Sequence, residues 1–446
     1  MLEEQLSRRA ARIERIQMKI VIAAKSEAGH VNPVIAVARI LIAEGHQVAA
    51  LTGEPFRRPF ENRGAMFYPL PAEASPDVAD IMSNDPMLKS LPDGTPPLVR
   101  FRIAVEHALV DPFPLQYAAL QAVLRDFDAD VIVGESGFFG TLPILLGSSE
   151  KRHRIVLCGT YFLTWEREDG APYLGGLQPA TTEAQRVQYA ALARDHERYF
   201  EQPLVKRANE LLGTLGARSM PRGIFDSAIE LADAYLQPSV PSFEFPRASV
   251  PSSVHFIGAL PITPNLHPLP PWAADLNGKR KVVHVTQGTV ANTDFGMLVA
   301  PTLAALADEP DLLVVVITGG RPLDTIPGPI PSNARLATFL PYEWLLPKVD
   351  VFVTNGGNGG VNQALTFGVP LVTAGLSEDK ADVNARVAWS GVGIDLSTGH
   401  PTPDALRNAI RTVLSDPGYR LQATRKAKEF AAIDTRAEIL RAVTGS

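Results

Sequence analysis

The chain has 446 residues, 46% of them hydrophobic, which is more than one core accommodates comfortably and enough for two. Its 42 basic and 48 acidic residues leave a formal charge of −6 and form no basic block that would track a phosphate backbone, so nucleic acid is not an expected partner. Cys158 is the only cysteine, which excludes an intrachain disulfide and a cysteine metal cluster and fits a reducing cytosol.

Residues 1–17 are charged throughout and lack the apolar centre of a secretory leader. They read as an extension, or as sequence ahead of a natural start at Met18. No run of about 18 apolar residues occurs, so no spanning helix is expected and a cytoplasmic location is. From Met18 the pattern is regular. MKIVIAA predicts a buried strand, residues 33–44 a helix with Pro33 near its first turn and Gly45 at its end, and HQVAALT the next strand. A helix over 115–124 and a strand at ADVIVG continue the alternation, which RIVLCGT resumes after a break at 147–153. Strands this apolar, alternating with helices, argue a parallel sheet covered on both faces. Between Pro238 and Pro271 prolines recur, interrupted by a short VHFIG, and the stretch reads as a linker. The order then restarts with KVVHVT, a helix over 298–306, LLVVVIT, ARLATF, VDVFVT, a glycine-led helix, PLVTA and GVGIDL, and closes on helices over 403–414 and 419–432. The fold class is therefore α/β, as two parallel-sheet domains.

VDVFVT opens into Asn355-Gly356-Gly357-Asn358-Gly359-Gly360 and then a helix that ends at Gly368. So many glycines exceed what a tight turn needs. Bare N–H groups at the positive end of a helix dipole suit an anion, most often a phosphate. The run lacks the Gly-Lys-Ser/Thr of a P-loop, and NAD is disfavoured because the first turn, AKSEAGH, holds only Gly29. His30 lies in that turn, at the carboxyl end of the first strand, where open α/β sheets put their ligands. By position it is a candidate general base, or else an ordinary histidine of a helix start or exposed loop.

These residues resemble the family 1 nucleotide-sugar glycosyltransferases, the UDP-glycosyltransferases. The likeness rests on the ordered series Phe339-Leu340-Pro341-Tyr342, Leu345-Leu346-Pro347, Thr354-Asn355-Gly356-Gly357, Gln363, Gly368-Val369-Pro370 and Glu378-Asp379-Lys380, and on GHVNPVIAVARILIAEGHQV in the first half. The resemblance implies a GT-B fold, two Rossmann-like domains facing across a cleft. An acceptor domain would span 18–262, a Pro-rich linker 263–275, a donor domain 276–425, and a C-terminal helix, 426–446, could pack back on the first domain. It also implies a nucleotide sugar as co-substrate, UDP-glucose by family frequency with TDP-sugars open, no resident cofactor, no metal, a small-molecule acceptor, and a monomer or homodimer.

By position, the resemblance puts Phe339 against the nucleobase with Leu340 beside it, and Gln363 on the ribose. Gln287, Gly288 and Thr289 of VTQGT would lie beside the diphosphate, and Asn355, Gly356, Gly357, Gly359 and Gly360 would cradle it. Glu378, Asp379 and Lys380 would face the sugar. Two departures stand out: Asn355 occupies the place of a phosphate-binding histidine, and Lys380 that of a closing glutamine. An amide donates without carrying charge, which shifts more of the diphosphate's charge onto the backbone and the helix dipole.

The resemblance makes His30 the base that takes the acceptor proton and supplies an orienting carboxylate after a middle strand. ADVIVGES puts Glu135 there, one methylene longer than the family's aspartate. Glu27 is a second candidate by nearness in sequence, and His46 reads as structural. His107, with Asp111 near it, and Phe138 are candidate acceptor contacts. Asp126, Asp128 and Asp130 have the D-x-D spacing of metal-dependent sugar transferases, but at a helix end running into a strand they read as surface acids. The expected reaction is inverting transfer of a sugar to a hydroxyl of an apolar natural-product-like acceptor. A nucleotide-sugar epimerase is the alternative, as is a non-catalytic nucleotide-sugar-binding protein, motivated by Asn355, Gly359, Gly360 and Lys380.

Overall fold

The structure, a computed structural model, describes residues 17–148, 152–262, 268–289 and 291–445. The expected extension thus lies outside the described residues except for its last position, as do residues 263–267 of the expected linker. The apolar runs form two parallel sheets, as the alternation implied. The first comprises β1 (Lys19–Ala23), β2 (Gln47–Thr52), β3 (Met66–Pro69), β4 (Val131–Glu135), β5 (Arg154–Cys158), β6 (Ala234–Gln237) and β7 (Val254–Phe256), in the order β3-β2-β1-β4-β5-β6-β7. The second comprises β8 (Lys281–Thr286), β9 (Leu312–Ile317), β10 (Ala334–Ala337), β11 (Val351–Thr354), β12 (Leu371–Thr373) and β13 (Gly393–Asp395), in the order β10-β9-β8-β11-β12-β13.

In each sheet the order reverses at one place. Ala23 of β1 pairs with Gly134 of β4, and Thr286 of β8 with Thr354 of β11. Loops leaving such neighbouring strands diverge to opposite faces and open a crevice at the carboxyl ends. His30 in the helix that follows β1, Glu135 at the end of β4, and the turns Gln287 to Thr289 and Asn355 to Gly357 all lie at the carboxyl ends of these four strands.

The helix after β1, α1 (Ala28–Ala43), buries Val31, Val34, Val37 and Leu41 against Ile20, Ile22 and Val131. Each such side chain removed from water contributes about 1.5–3 kcal/mol. The helix starts five residues before the expected position. Glu27 is extended and its carbonyl accepts from both His30 N and Val31 N at 2.9 Å, so the helix begins ahead of Pro33, which sits in the second turn. His30 is therefore a first-turn helix residue and not a loop residue. The glycine turn is likewise shorter than expected, because α2 (Asn358–Thr366) begins at Asn358 with Gly357 as its N-cap, placing Gly359 and Gly360 in its first turn. The Pro-rich stretch after β6 does not read through as linker: Val254 to Phe256 pair with Tyr235 to Gln237 as the sheet's last strand. Prolines flanking an edge strand remove no ladder hydrogen bond.

Two further helices tie the halves together. Beyond the second sheet the chain returns, and α4 (Thr435–Thr444) places Ile439, Ala442 and Val443 in the first sheet's core. From α3 (Lys380–Trp389), Arg386 reaches across at 2% exposure. Its Nε and Nη2 donate to Glu244 Oε2 at 3.0 and 2.9 Å, and its guanidinium lies 4.3 and 4.2 Å from the ring centroids of Phe162 and Phe245. Burial would raise the Glu244 pKa, but the charges of Arg386 and Arg247 hold it below its ordinary value. Removing one member of a buried ion pair leaves the other uncompensated and destabilises by about 3–5 kcal/mol. Arg386→Ala should therefore lower the denaturant midpoint clearly, with a cost near the lower end because Arg247 remains 3.4 Å from Glu244. An unchanged midpoint would show that the pair does not hold the halves.

Candidate active site

Glu135 closes β4 with its side chain fully buried. Its Oε2 accepts from Gly137 N at 2.6 Å and lies 2.9 Å from His30 Nδ1, while Oε1 accepts from Lys25 N at 3.3 Å. A carboxylate only accepts, so Nδ1 carries the imidazole proton and Nε2 keeps its lone pair. About a fifth of the His30 side chain (21%) stays exposed. Burial alone would lower its pKa, but the charge and hydrogen bond of Glu135 and the charge of Glu27 outweigh burial and the opposing charge of Lys25, raising it above 6.5. Burial would likewise raise Glu135, yet His30, the Gly137 N–H and Lys25 keep it below its ordinary value. Glu27, the second candidate, stands 3.9 Å from Nε2 and is paired with Lys25 Nζ at 2.9 Å. A side chain at Gly137 would press on the dyad, since a Cβ would lie 3.3 Å from both Glu135 Oε2 and His30 Cε1.

The second sheet supplies the glycine turn. Gly356 has φ +95°, and a Cβ there would fall 1.8 Å from Asn384 Oδ1, so packing and backbone both require glycine. Gly288, Gly357 and Gly359 differ: added Cβ atoms would meet nothing within 4 Å. Gly357 and Gly359 also have negative φ, so neither protein packing nor backbone strain explains glycine at those two positions. Their backbone is open to a ligand. No side chain caps α2 and no acid sits in its first turn, which leaves the N–H groups and the dipole for an anion.

Several expected contacts turn out differently. The side-chain amide of Asn355 donates to the Gln287 carbonyl at 3.0 Å, binding the two turns together. Gln287 is 2% exposed, and its side chain is an internal brace that donates to Asp294 O and accepts from Leu298 N and Val299 N. Only its backbone is left for a donor. Leu340 is 6% exposed and Phe138 1% exposed, both packed in cores, so neither ring nor side chain lines the cleft as expected. Phe339 is open at 44% exposure, Thr289 is exposed, and Gln363 is half-buried. His107 is paired with Asp85 at 2.9 Å and Asp111 with Arg207 at 2.7 Å. Asp130 accepts from Lys19 N, at the amino edge of the sheet opposite His30, and Asp126 accepts from Tyr68. His46 accepts from Met18 N.

Asp379, in the turn before α3, is pushed up to about 6 by burial and the charge of Asp382, and the charge of His30 acts on it in the opposite sense. Lys380 pairs with Glu378, which adopts φ +51°, and burial lowers the Lys380 pKa to about 8. Sequence reasoning missed Lys25. Its ammonium is fully buried beside the dyad, held by Glu27 and by Pro76 O at 3.2 Å. A lysine directly after a buried strand was the available signal.

Comparison with known proteins gives the same direction. Residues 302–445 match the C-terminal domain model of the erythromycin biosynthesis protein CIII-like family. The chain is 36% identical to the 4'-demethylrebeccamycin synthase of Lentzea aerocolonigenes, over 96% of this chain and 99% of the relative. It is 34% identical to UDP-glucosyltransferase B1 of Starmerella bombicola, over 92% and 94% of the two chains. The fold matches the crystal structure of the calicheamicin glycosyltransferase CalG4 with TM-score 0.70 at 19% identity, over 96% and 97%. Among the described residues no helix is long and apolar enough to cross a membrane. Two switch points, a histidine held by a buried acid on one and an open glycine turn on the other, together with these relatives, make the chain a member of the family 1 nucleotide-sugar glycosyltransferases, enzymes of the GT-B fold.

Proposed function

We propose that the chain transfers glucose from UDP-glucose to a hydroxyl of an apolar small molecule, with inversion at the anomeric carbon. The observation that carries the reading is the 2.9 Å contact between His30 Nδ1 and the buried Glu135, which leaves Nε2 as a free base at the cleft. His30 takes the acceptor's proton as its oxygen attacks. Glu135 fixes the tautomer and stabilises the imidazolium that forms. The leaving diphosphate lies on the open backbone of Gly357 and Gly359 and the amino end of α2, beside the turn at Gly288, where developing negative charge meets fixed N–H dipoles. Asp379 and Lys380 face the sugar, and Phe339, with Gln363, receives the uridine. The names of relatives such as UDP-glucosyltransferase B1 support glucose and UDP. Glu135 and the helix terminus supply the electrostatics that the reaction requires.

His30→Ala should reduce kcat by roughly 10²–10⁴ while UDP-glucose binding stays unchanged. Near wild-type turnover in a folded variant would remove His30 as the base. In the wild type kcat/KM should fall as pH drops through a pKa above 6.5, because the protonated imidazole cannot accept. Glu135→Gln takes away the largest raising influence while burial persists, so that limb should move to lower pH as the plateau drops. A limb that stays in place would separate Glu135 from the base. For the donor side, Gly359→Asp adds a first-turn acid that favours the helix but opposes the diphosphate. UDP affinity should fall about tenfold with thermal stability held or raised, and unchanged affinity would place the diphosphate elsewhere.

A further inference from the structure

Glu27 is the N-cap of α1, yet its side chain accepts no hydrogen bond from the first turn of that helix. It is turned toward the base instead. The buried Lys25 Nζ donates to Glu27 Oε1 at 2.9 Å and to Pro76 O at 3.2 Å, and Glu27 Oε2 lies 3.9 Å from His30 Nε2. Neighbouring segments fix this turn. Ser26 N donates at 2.7 Å to the Oγ of Ser75, which follows β3. Gly53, which follows β2, makes room for Ser26, since a Cβ there would fall 1.8 Å from Ser26 Oγ. Segments leaving three neighbouring parallel strands thus meet at the residue between Lys25 and Glu27, and the carboxylate is held where it is.

The two atoms that stand 3.9 Å apart are of one kind. Glu135 keeps the imidazole proton on Nδ1, so Nε2 offers a lone pair, and a carboxylate paired with an ammonium offers lone pairs alone. Among the described residues no hydrogen bond falls on Nε2 or on Glu27 Oε2, and the two side chains remain 21% and 15% exposed. An acceptor that displaces water from both atoms has to bring each of them a donor, because a carboxylate stripped of water and left unpaired weakens binding. One hydroxyl cannot do this. It has a single hydrogen, and the transfer reaction needs that hydrogen at Nε2. A second hydroxyl on the adjacent carbon lies beside the first and can donate to Oε2 while the first donates to Nε2. A methoxy group in its place would set a lone pair against the carboxylate.

We propose that Glu27 selects acceptors with hydroxyls on two adjacent carbons, catechols among them, by receiving the hydroxyl next to the one that His30 deprotonates. This assignment rests on the transferase reading with His30 as base and narrows its acceptor class. The test uses the full-length enzyme, UDP-glucose and three phenols: catechol, resorcinol and 2-methoxyphenol. Resorcinol matches catechol in the number of hydroxyls but not in their adjacency. Catechol should have a kcat/KM about tenfold or more above that of either other phenol. In E27Q the amide oxygen takes the Lys25 ammonium, because an amide nitrogen cannot accept, and the amide N–H groups then face Nε2. The preference for catechol over 2-methoxyphenol should there vanish or reverse. Equal efficiencies in the wild type, or a preference unchanged in E27Q, would overturn the proposal. Calorimetric binding of the three phenols to the enzyme saturated with UDP reads the same preference without turnover. Tighter binding of catechol that E27Q abolishes supports the role of Glu27 even if no phenol is glycosylated, whereas equal binding of the three, or no binding of catechol, overturns it. Failure of transfer across a wide acceptor panel would instead contradict the transferase reading. If E27Q does not fold, E27D, which withdraws the carboxylate by one methylene, carries the same comparison, and the catechol preference should again fall.

Discussion

A carboxylate inside a protein must be fully satisfied or it is not tolerated as a charge, and Glu135 organises the first half of the molecule through that requirement. It ends a fully buried strand, so its partners have to come to it. Gly137 turns back to donate at 2.6 Å, the Lys25 amide arrives from the loop after β1, and His30 completes the set. Loops leaving β1 and β4 are thereby fixed to one point at the reversal of strand order. The same point is where an imidazole has its proton on one nitrogen and a lone pair on the other. Lys25 and Glu27, paired beside it, add opposite charges whose effects on His30 partly cancel.

The second sheet reaches the same place by a different constraint. Gly356 is forced by the approach of Asn384, and once the chain turns there the amide of Asn355 closes on the Gln287 carbonyl, so the turns after β8 and β11 form one unit. What remains bare is the backbone at Gly357 and Gly359. The two units are held in register by Arg386, which runs from α3 into a slot between Phe162 and Phe245 and meets Glu244. Lys380 begins that same helix with Asp379 as its N-cap, so the pair that joins the halves also fixes the helix that carries them.

The sheets were legible because strands buried on both faces read as continuous apolar runs. LLVVVI of β9 is buried at every position. The position of Glu135 was also legible, since the end of an apolar strand in a β-α pattern is a ligand position in this fold class. What failed depended on partners distant in sequence. Pro33 looked like a helix start, but the Glu27 carbonyl had already begun the helix. Nothing local says that Asn355 faces a carbonyl 68 residues away, or that Gln287 braces the helix that follows it. Phe138 and Leu340 follow motif residues in sequence yet turn into cores, because the residue next to a cleft-facing position points away from it. The buried Arg386 is likewise invisible in a helix whose other charges look like surface groups.

The central claim is a single in-line displacement with His30 as base, which inverts the anomeric centre. The most direct measurement is the configuration of the product formed from UDP-glucose, whose glucose is α-linked, read from the anomeric proton coupling by NMR before any product equilibration. The account expects a β-glucoside. An α-glucoside would contradict it, because retention requires a second displacement or front-face attack, and the His30 and Glu135 pair provides for neither.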